Sequence, residues 1–184
     1  FGFRSRGYIH PDHPLQAEIR RRVAAETSTP ERSMGIGVDG CNLPVFNIPL
    51  AGLAVGFAKL AAAGPFRAGE AETGDRALRA RLWSAMCASP AMVAGKNRFT
   101  TDLIEAGRGA WIGKEGTEAV YAIGLRGSRG GKTIGVAFKI EDGSTRARDA
   151  VALQILEALA PIGPPARRKL EPHLAQHRTR LADD

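Results

Sequence analysis

Apolar residues recur every four positions at Leu15, Ile19 and Val23, the stripe of an amphipathic helix that runs to about Thr27. The segment before it, His10-Pro11-Asp12-His13-Pro14, reads as a rigid entry loop, with Asp12 and Pro14 where a helix starts. Residues 27–32 form a connector, and residues 35–44 (GIGVDGCNLP) a glycine-rich loop. Over residues 48–63 the period is helical again: Leu50, Leu53, Ala54, Phe57, Leu60 and Ala61 make a broad apolar face, stopped by Gly64-Pro65. Gly52 and Gly56, four apart, allow close approach of another element. A third helix is expected over residues 75–89, with Leu78, Leu82, Ala85 and Met86 on one face and Pro90 ending it, then a short fourth over residues 100–106.

The period then changes to two. Ala119, Tyr121, Ile123 and Leu125 alternate with Glu118, Val120, Ala122 and Gly124, a strand. Gly127-Ser128-Arg129-Gly130-Gly131 turns the chain, and the return strand sets Ile134, Val136, Phe138 and Ile140 against Thr133, Gly135, Ala137 and Lys139. The second set is small enough to admit a closely packed helix, and neither face is plainly polar, so both are expected to be covered. Asp142-Gly143-Ser144 leads into a last helix with the stripe Ala147, Val151, Ile155 and Leu159, ended by Pro161. Beyond Gly163 the Pro/Arg-rich tail reads as loosely held, with room for a short helix. The fold class is α/β (α+β), an antiparallel sheet with helices on both sides. A lone hairpin is marginal as a sheet, so further strands are required.

Composition changes this picture little. The chain has 184 residues, 43% hydrophobic and 24% charged, enough apolar material for a core. No apolar run reaches the roughly 20 residues of a membrane span, and the stretch from Phe1 is aromatic and basic with no apolar signal-peptide centre. Two cysteines, Cys41 and Cys87, do not make a disulfide framework, which points to a reducing, cytoplasmic setting. The net charge of +7 raises nucleic acid as a partner. Its clusters, Arg20 to Arg22 and Arg167, Arg168, Lys169, Arg178 and Arg180, lack interleaved aromatics, so solvated faces are the better reading and neither nucleic acid nor membrane is expected.

Candidate chemistry concentrates in four places. In residues 35–44, Asp39 and Asn42 can bind a polar ligand or build an Asx-turn, and Cys41 can ligate a metal or stay a turn residue. Lys114, between Gly113 and Gly116 and ahead of the strand, can act as a base if burial lowers its pKa, with Glu118 holding or tuning it, or can be an exposed lysine in a surface turn. Gly95-Lys96-Asn97-Arg98 offers donors beside a helix start. Lys139, on the small sheet face, wants an acidic partner if buried. Gly143, Arg146 and Arg148 form a weaker group. His10 and His13, three apart, lack further metal ligands, and His173 and His177 read as one face of a surface helix. Cys87 reads as a small apolar residue.

Taken in order, His13-Pro14-Leu15-Gln16, Asp39-Gly40-Cys41-x-x-Pro44, Met92-Val93-Ala94-Gly95 with Arg98, Lys114-x-Gly116-x-Glu118-x-Val120 and Lys139-x-x-Asp142-Gly143-x-x-Arg146-Ala147 resemble the asparaginase II family, the Rhizobium etli inducible type, over about residues 8–160. The resemblance implies a serine-β-lactamase and glutaminase-like fold, hydrolysis of L-asparagine to L-aspartate and ammonia by serine–lysine chemistry, and a homodimer. It implies Lys114 as the catalytic lysine, Asp39 as the acid gripping the substrate's charged end, Arg98 and Glu118 on the substrate side, and Cys41 as a ligand of a zinc ion. The family's nucleophilic serines and its other zinc ligands, a cysteine and a lysine, have no counterpart in this sequence. The expectation is therefore a C-terminal portion of such an enzyme, inactive alone, as residues 1–163, followed by a basic tail at 164–184. Family members usually show Lys-x-Gly-Ala-Glu-Gly-Val, whereas Thr117 and Ala119 stand here for the alanine and the second glycine, a stiffer loop. Two other readings compete: a β-lactamase- or transpeptidase-like hydrolase, which no Ser-x-x-Lys supports, and a non-enzymatic basic binding module.

Overall fold

The first helix begins at a proline, as the spacing predicts, but a histidine caps it. In the computed structural model, which describes residues 2–67, 69 and 73–174, α1 spans Pro14–Thr27. His13 Nδ1 accepts from Leu15 N at 3.1 Å, so the imidazole rather than Asp12 satisfies a first-turn N–H. A short 3-10 turn, Glu31–Ser33, leads to an antiparallel hairpin of β1 (Ile36–Val38) and β2 (Pro44–Phe46). Four helices follow, α2 (Leu50–Ala63), α3 (Asp75–Ala88), α4 (Pro90–Ala94) and α5 (Phe99–Gly107). Pro90 ends α3 and also opens α4, where its missing N–H costs nothing. The chain next builds an antiparallel sheet in the order β3 (Trp111–Glu115), β4 (Val120–Leu125), β5 (Ile134–Lys139). Then come α6 (Thr145–Leu159) and α7 (Pro164–Leu170).

The further strand that the hairpin requires is β3, paired with β4 from Trp111↔Leu125 to Glu115↔Tyr121. The sequence reading puts Lys114 ahead of the first strand; it lies inside one, on an edge of the sheet among the described residues. Helices cover both sheet faces, as expected for this mixed class. On one face Tyr121, Ile123 and Leu125 pack with Phe99, Leu103, Leu153 and Leu156 of α5 and α6. On the other, α2 lies so close to the small residues of β4 and β5 that a Cβ at Gly135 would stand 1.8 Å from the Ala54 carbonyl oxygen.

Two expected stripes lie largely outside the core, although Met86 of the α3 stripe packs against the cluster of Ala61, Trp83 and Ile112. The buried residues of α1 are Gln16, Ala24 and Thr27, and those of α3 are Ala77, Ala80 and Trp83. Leu15, Ile19 and Val23 instead meet Leu78 and Leu82 across an open groove of about 570 Å³, whose floor includes Leu53 and Phe57 of α2. The end of α1 is held against α2 where Gly52 meets Thr27 and Thr29: a Cβ there would stand 2.7 Å from Thr29 Oγ1.

The segment read as loosely held is docked through residue 174. Leu170 is fully buried, Lys169 Nζ reaches Asp102 Oδ1 at 3.2 Å and Glu105 Oε2 at 2.6 Å, and His173 Nε2 meets Asp102 Oδ2 at 2.6 Å with its ring edge-on to Phe99. His173 is thus a docking residue, while His177, Arg178 and Arg180 lie outside the described residues.

The basic clusters are largely spent on local partners. Arg21 and Arg22 bond Glu18, Arg20 bonds the carbonyl oxygens of Glu31 and Met34, and Arg167 bonds Glu157. The two arginines beside Glu18 hold its carboxyl down to about 2. No helix among the described residues is long and apolar enough to cross a membrane.

Candidate active site

Asp39 sits in the β1–β2 turn, where glycine and asparagine let the backbone reverse. Asp39 N donates to Leu43 O at 2.9 Å, Asn42 N donates to Asp39 O at 2.8 Å, and Asn42 adopts φ +63°. The Asp39 carboxylate also works within the turn: Oδ1 accepts from Gly40 N at 2.7 Å, and Cys41 Sγ approaches Oδ2 at 3.4 Å. Asp39 thus takes up the turn-building option and still lines a cleft of about 630 Å³.

The other walls of that cleft come from far along the chain. Arg98 enters from the residue before α5, Glu115 from the end of β3 and residues 116–119 from the β3–β4 loop. Gly143, Thr145 and Arg148 come from the turn into α6. Asp39, Arg98 and Glu118, separate in sequence, therefore share one cavity. Glu118 and Ala119 both adopt left-handed backbone, φ +53° and +52°, which folds the loop back over the sheet end. Ala119 is where the family pattern usually has glycine, so the stiffer loop is accommodated at a residue that resists this conformation. The side chain of Glu118 lies over Gly143: a Cβ there would be 3.1 Å from Glu118 Oε2.

Lys114 is not among the residues lining the cleft, although its neighbour Glu115 is. Strand alternation turns it to the face of Ile112 and Ala122, opposite the face of Glu115 and Tyr121. Its ammonium curls round the sheet edge, donating to Glu115 O at 2.8 Å and standing 3.6 Å from Glu115 Oε2. The carboxylate beside Lys114 is accordingly Glu115, not the expected Glu118. The side chain of Lys114 remains 47% exposed. Lys139 has no acidic partner among the described residues: it is exposed and donates to Glu118 O at 2.9 Å and Ile140 O at 3.2 Å, tying the loop down.

Two cleft residues exceed what their sequence signal suggested. Glu115 Oε2 is buried with no hydrogen-bond partner among the described residues, an expensive state for a carboxylate oxygen in a cleft wall. Arg148 is 93% buried by its 7% exposure. Its Nε and Nη2 both donate to Asp149 Oδ1, at 2.9 and 2.7 Å, and its guanidinium lies 5.6 Å from the Tyr121 ring centre. Burial raises the Asp149 carboxyl even against Arg148, and burial raises the Tyr121 hydroxyl, which pairs with Thr100 Oγ1 at 2.9 Å. Burial also raises the Cys87 thiol, in keeping with its apolar role.

Zinc does not fit the donors seen here. Cys41 is exposed and has only Asp39 beside it, and no group of three His, Cys, Asp or Glu side chains is gathered for a metal among the described residues. Zinc sites use three or four protein ligands.

These features define a mixed α/β domain with a two-signed polar cleft at one end of its antiparallel sheet. The chain belongs to the L-asparaginase II family, whose model matches residues 2–182, well over half of it and past the range of the motifs. No curated protein gives a significant match.

Proposed function

We propose that the chain is the substrate-recognition and lysine-bearing portion of an amidohydrolase that converts L-asparagine to L-aspartate and ammonia. The observation that carries this, beside family membership, is the gathering of Asp39, Arg98 and Glu118 from three distant segments into one cleft. A free amino acid carries both charge signs, and the cleft offers both. Asp39 receives the substrate ammonium, and Arg98 and Glu118 line the path of its polar end.

The chemistry is serine–lysine. Lys114 as an amine takes the proton of a serine hydroxyl, and the serine oxygen attacks the side-chain carboxamide carbon. The C–N bond breaks as nitrogen takes a proton and leaves as ammonia. Water then cleaves the ester to give aspartate and restore the serine. No serine is among the residues lining the cleft. A lysine base also needs a desolvated setting, which a half-exposed Lys114 lacks. Both observations support a nucleophile, and a cover over Lys114, supplied by protein outside these 184 residues, so that the chain alone is inactive. Zinc at Cys41 enters the proposal only with ligands from the same outside source. A homodimer and a cytoplasmic location accompany the family reading.

The test is L-asparagine-dependent ammonia release by the chain alone and by protein with the upstream coding region restored. Activity in the restored protein alone, abolished by Lys114→Ala, is the expected result. Activity of the isolated chain removes the inactivity claim, and silence in both removes the assigned reaction.

A further inference from the structure

We propose that Arg148 recognises the α-carboxylate of the amino-acid substrate, an assignment that rests on the asparagine reading of the same cleft. Five features carry it. Arg148 lines the cleft with Asp39, Glu115 and Glu118, so the cavity has a buried cation set among its acids. The guanidinium is held from two sides, by Asp149 and by the Tyr121 ring, so little conformational freedom is lost when a ligand binds. Both bonds to Asp149 go to a single oxygen, from Nε and Nη2; Nη1 bonds no described residue and keeps its donors. Arginine presents those donors in a planar fork suited to a carboxylate.

The fifth feature is the helix that carries it. The α6 N-terminus lines the same wall through Gly143 and Thr145. Ser144 caps Ala147 N at 3.3 Å and accepts Arg148 N at its carbonyl, leaving the Thr145 and Arg146 N–H groups without an intrahelical acceptor. A carboxylate against Arg148 also meets the positive end of this 15-residue helix. Arg98, the other cation of the cleft, is exposed. A mobile exposed arginine attracts an anion; a buried, stacked one fixes where its carboxylate sits.

Isothermal calorimetry on the full 184-residue chain tests this with three probes: L-asparagine, L-asparaginamide, whose carboxylate is capped as an amide, and succinamate, which keeps the carboxylate and lacks the amine. Asparaginamide is expected to bind about tenfold or more weakly than asparagine, from loss of a charged hydrogen bond. The double variant Arg148→Met with Asp149→Asn, which leaves no charged carboxylate at position 149, is expected to bind both amino compounds at the asparaginamide level and to lose succinamate. If that variant does not fold, the Arg148 Nε–H resonance of the wild-type chain decides: it shifts with asparagine and succinamate and stays with asparaginamide. Equal binding of asparagine and asparaginamide overturns the role of Arg148 and leaves the asparagine reading standing. Discrimination that survives the double variant and disappears in Arg98→Ala assigns the carboxylate to Arg98 instead. Binding of none of the three removes both readings.

Discussion

Between the sheet and α5 and α6, Tyr121, Ile123, Leu125, Leu153 and Leu156 are buried to 2% exposure or less; across α1, α2 and α3, Leu78 and Leu82 stay 48% and 50% exposed. The two regions are written in similar apolar stripes. What separates them is the partner each stripe meets. The sheet presents a continuous apolar surface that two helices cover, whereas α1 and α3 flank a groove and meet through the ion pairs Arg22–Asp75 and Arg79–Glu26. The consequence reaches the cleft. Its wall from Glu115 to Ala119 and Arg148 hangs on the sealed half, while Asp39 sits on an exposed hairpin outside it. A buried cation and an exposed acid is the arrangement that results.

The sealed half breaks most severely at its closest contact. Gly135→Ala drives a methyl into the α2 backbone, and overpacking with no side chain to yield costs about 3 kcal/mol or more, read as a drop in the denaturant midpoint. Next, Leu156→Ala, in the sealed core, costs about 2–5 kcal/mol, while Leu82→Ala, in the groove, costs less than about 1 kcal/mol. Equal losses at the two sites would mean that the groove is closed in solution.

Acid sharpens the contrast on the open side. Glu18 falls from its ordinary value near 4.5 to about 2 because Arg21 and Arg22 bond it. A depressed carboxyl contributes stability that is fully present above about 4.5 and is lost as the pH falls through about 2. Carboxyl carbon resonances should show Glu18 titrating near 2, and the Arg21→Ala, Arg22→Ala double variant should return it towards 4.5. The smallest effect belongs to Ala119→Gly. It relieves about 1 kcal/mol of left-handed strain and gives up about 0.8 kcal/mol of buried methyl, leaving stability within about 0.5 kcal/mol of wild type by thermal unfolding.

Much of this was legible in the residues because it is local. The stripe spacing located α1, α2, α3 and α6, and the small face of Thr133, Gly135, Ala137 and Lys139 announced the close approach of α2. Non-local choices were not legible. Trp111–Glu115 lacks a clear alternation, because Gly113 interrupts it, so β3 emerges only through its pairing with β4. Which face of α1 turns inward depends on where α2 lies, and Gly52 against Thr27 and Thr29 settles that. The same limit governs the cleft. Asp39, Arg98 and Glu118 could be named singly, but that Glu115 rather than Glu118 accompanies Lys114 follows from the edge position of β3. Arg148, two residues beyond Arg146 in a basic stretch, carries no distinguishing signal until burial and Tyr121 set it apart.

The central claim is that the cleft at the sheet end, and not the groove of the open half, receives L-asparagine. Backbone amide resonances of the full chain titrated with L-asparagine test it most directly. The account predicts saturable shifts confined to residues 39–43, 98, 115–119 and 143–148. Shifts centred on Leu15, Ile19, Leu78 and Leu82, or no saturable shift anywhere, would contradict it.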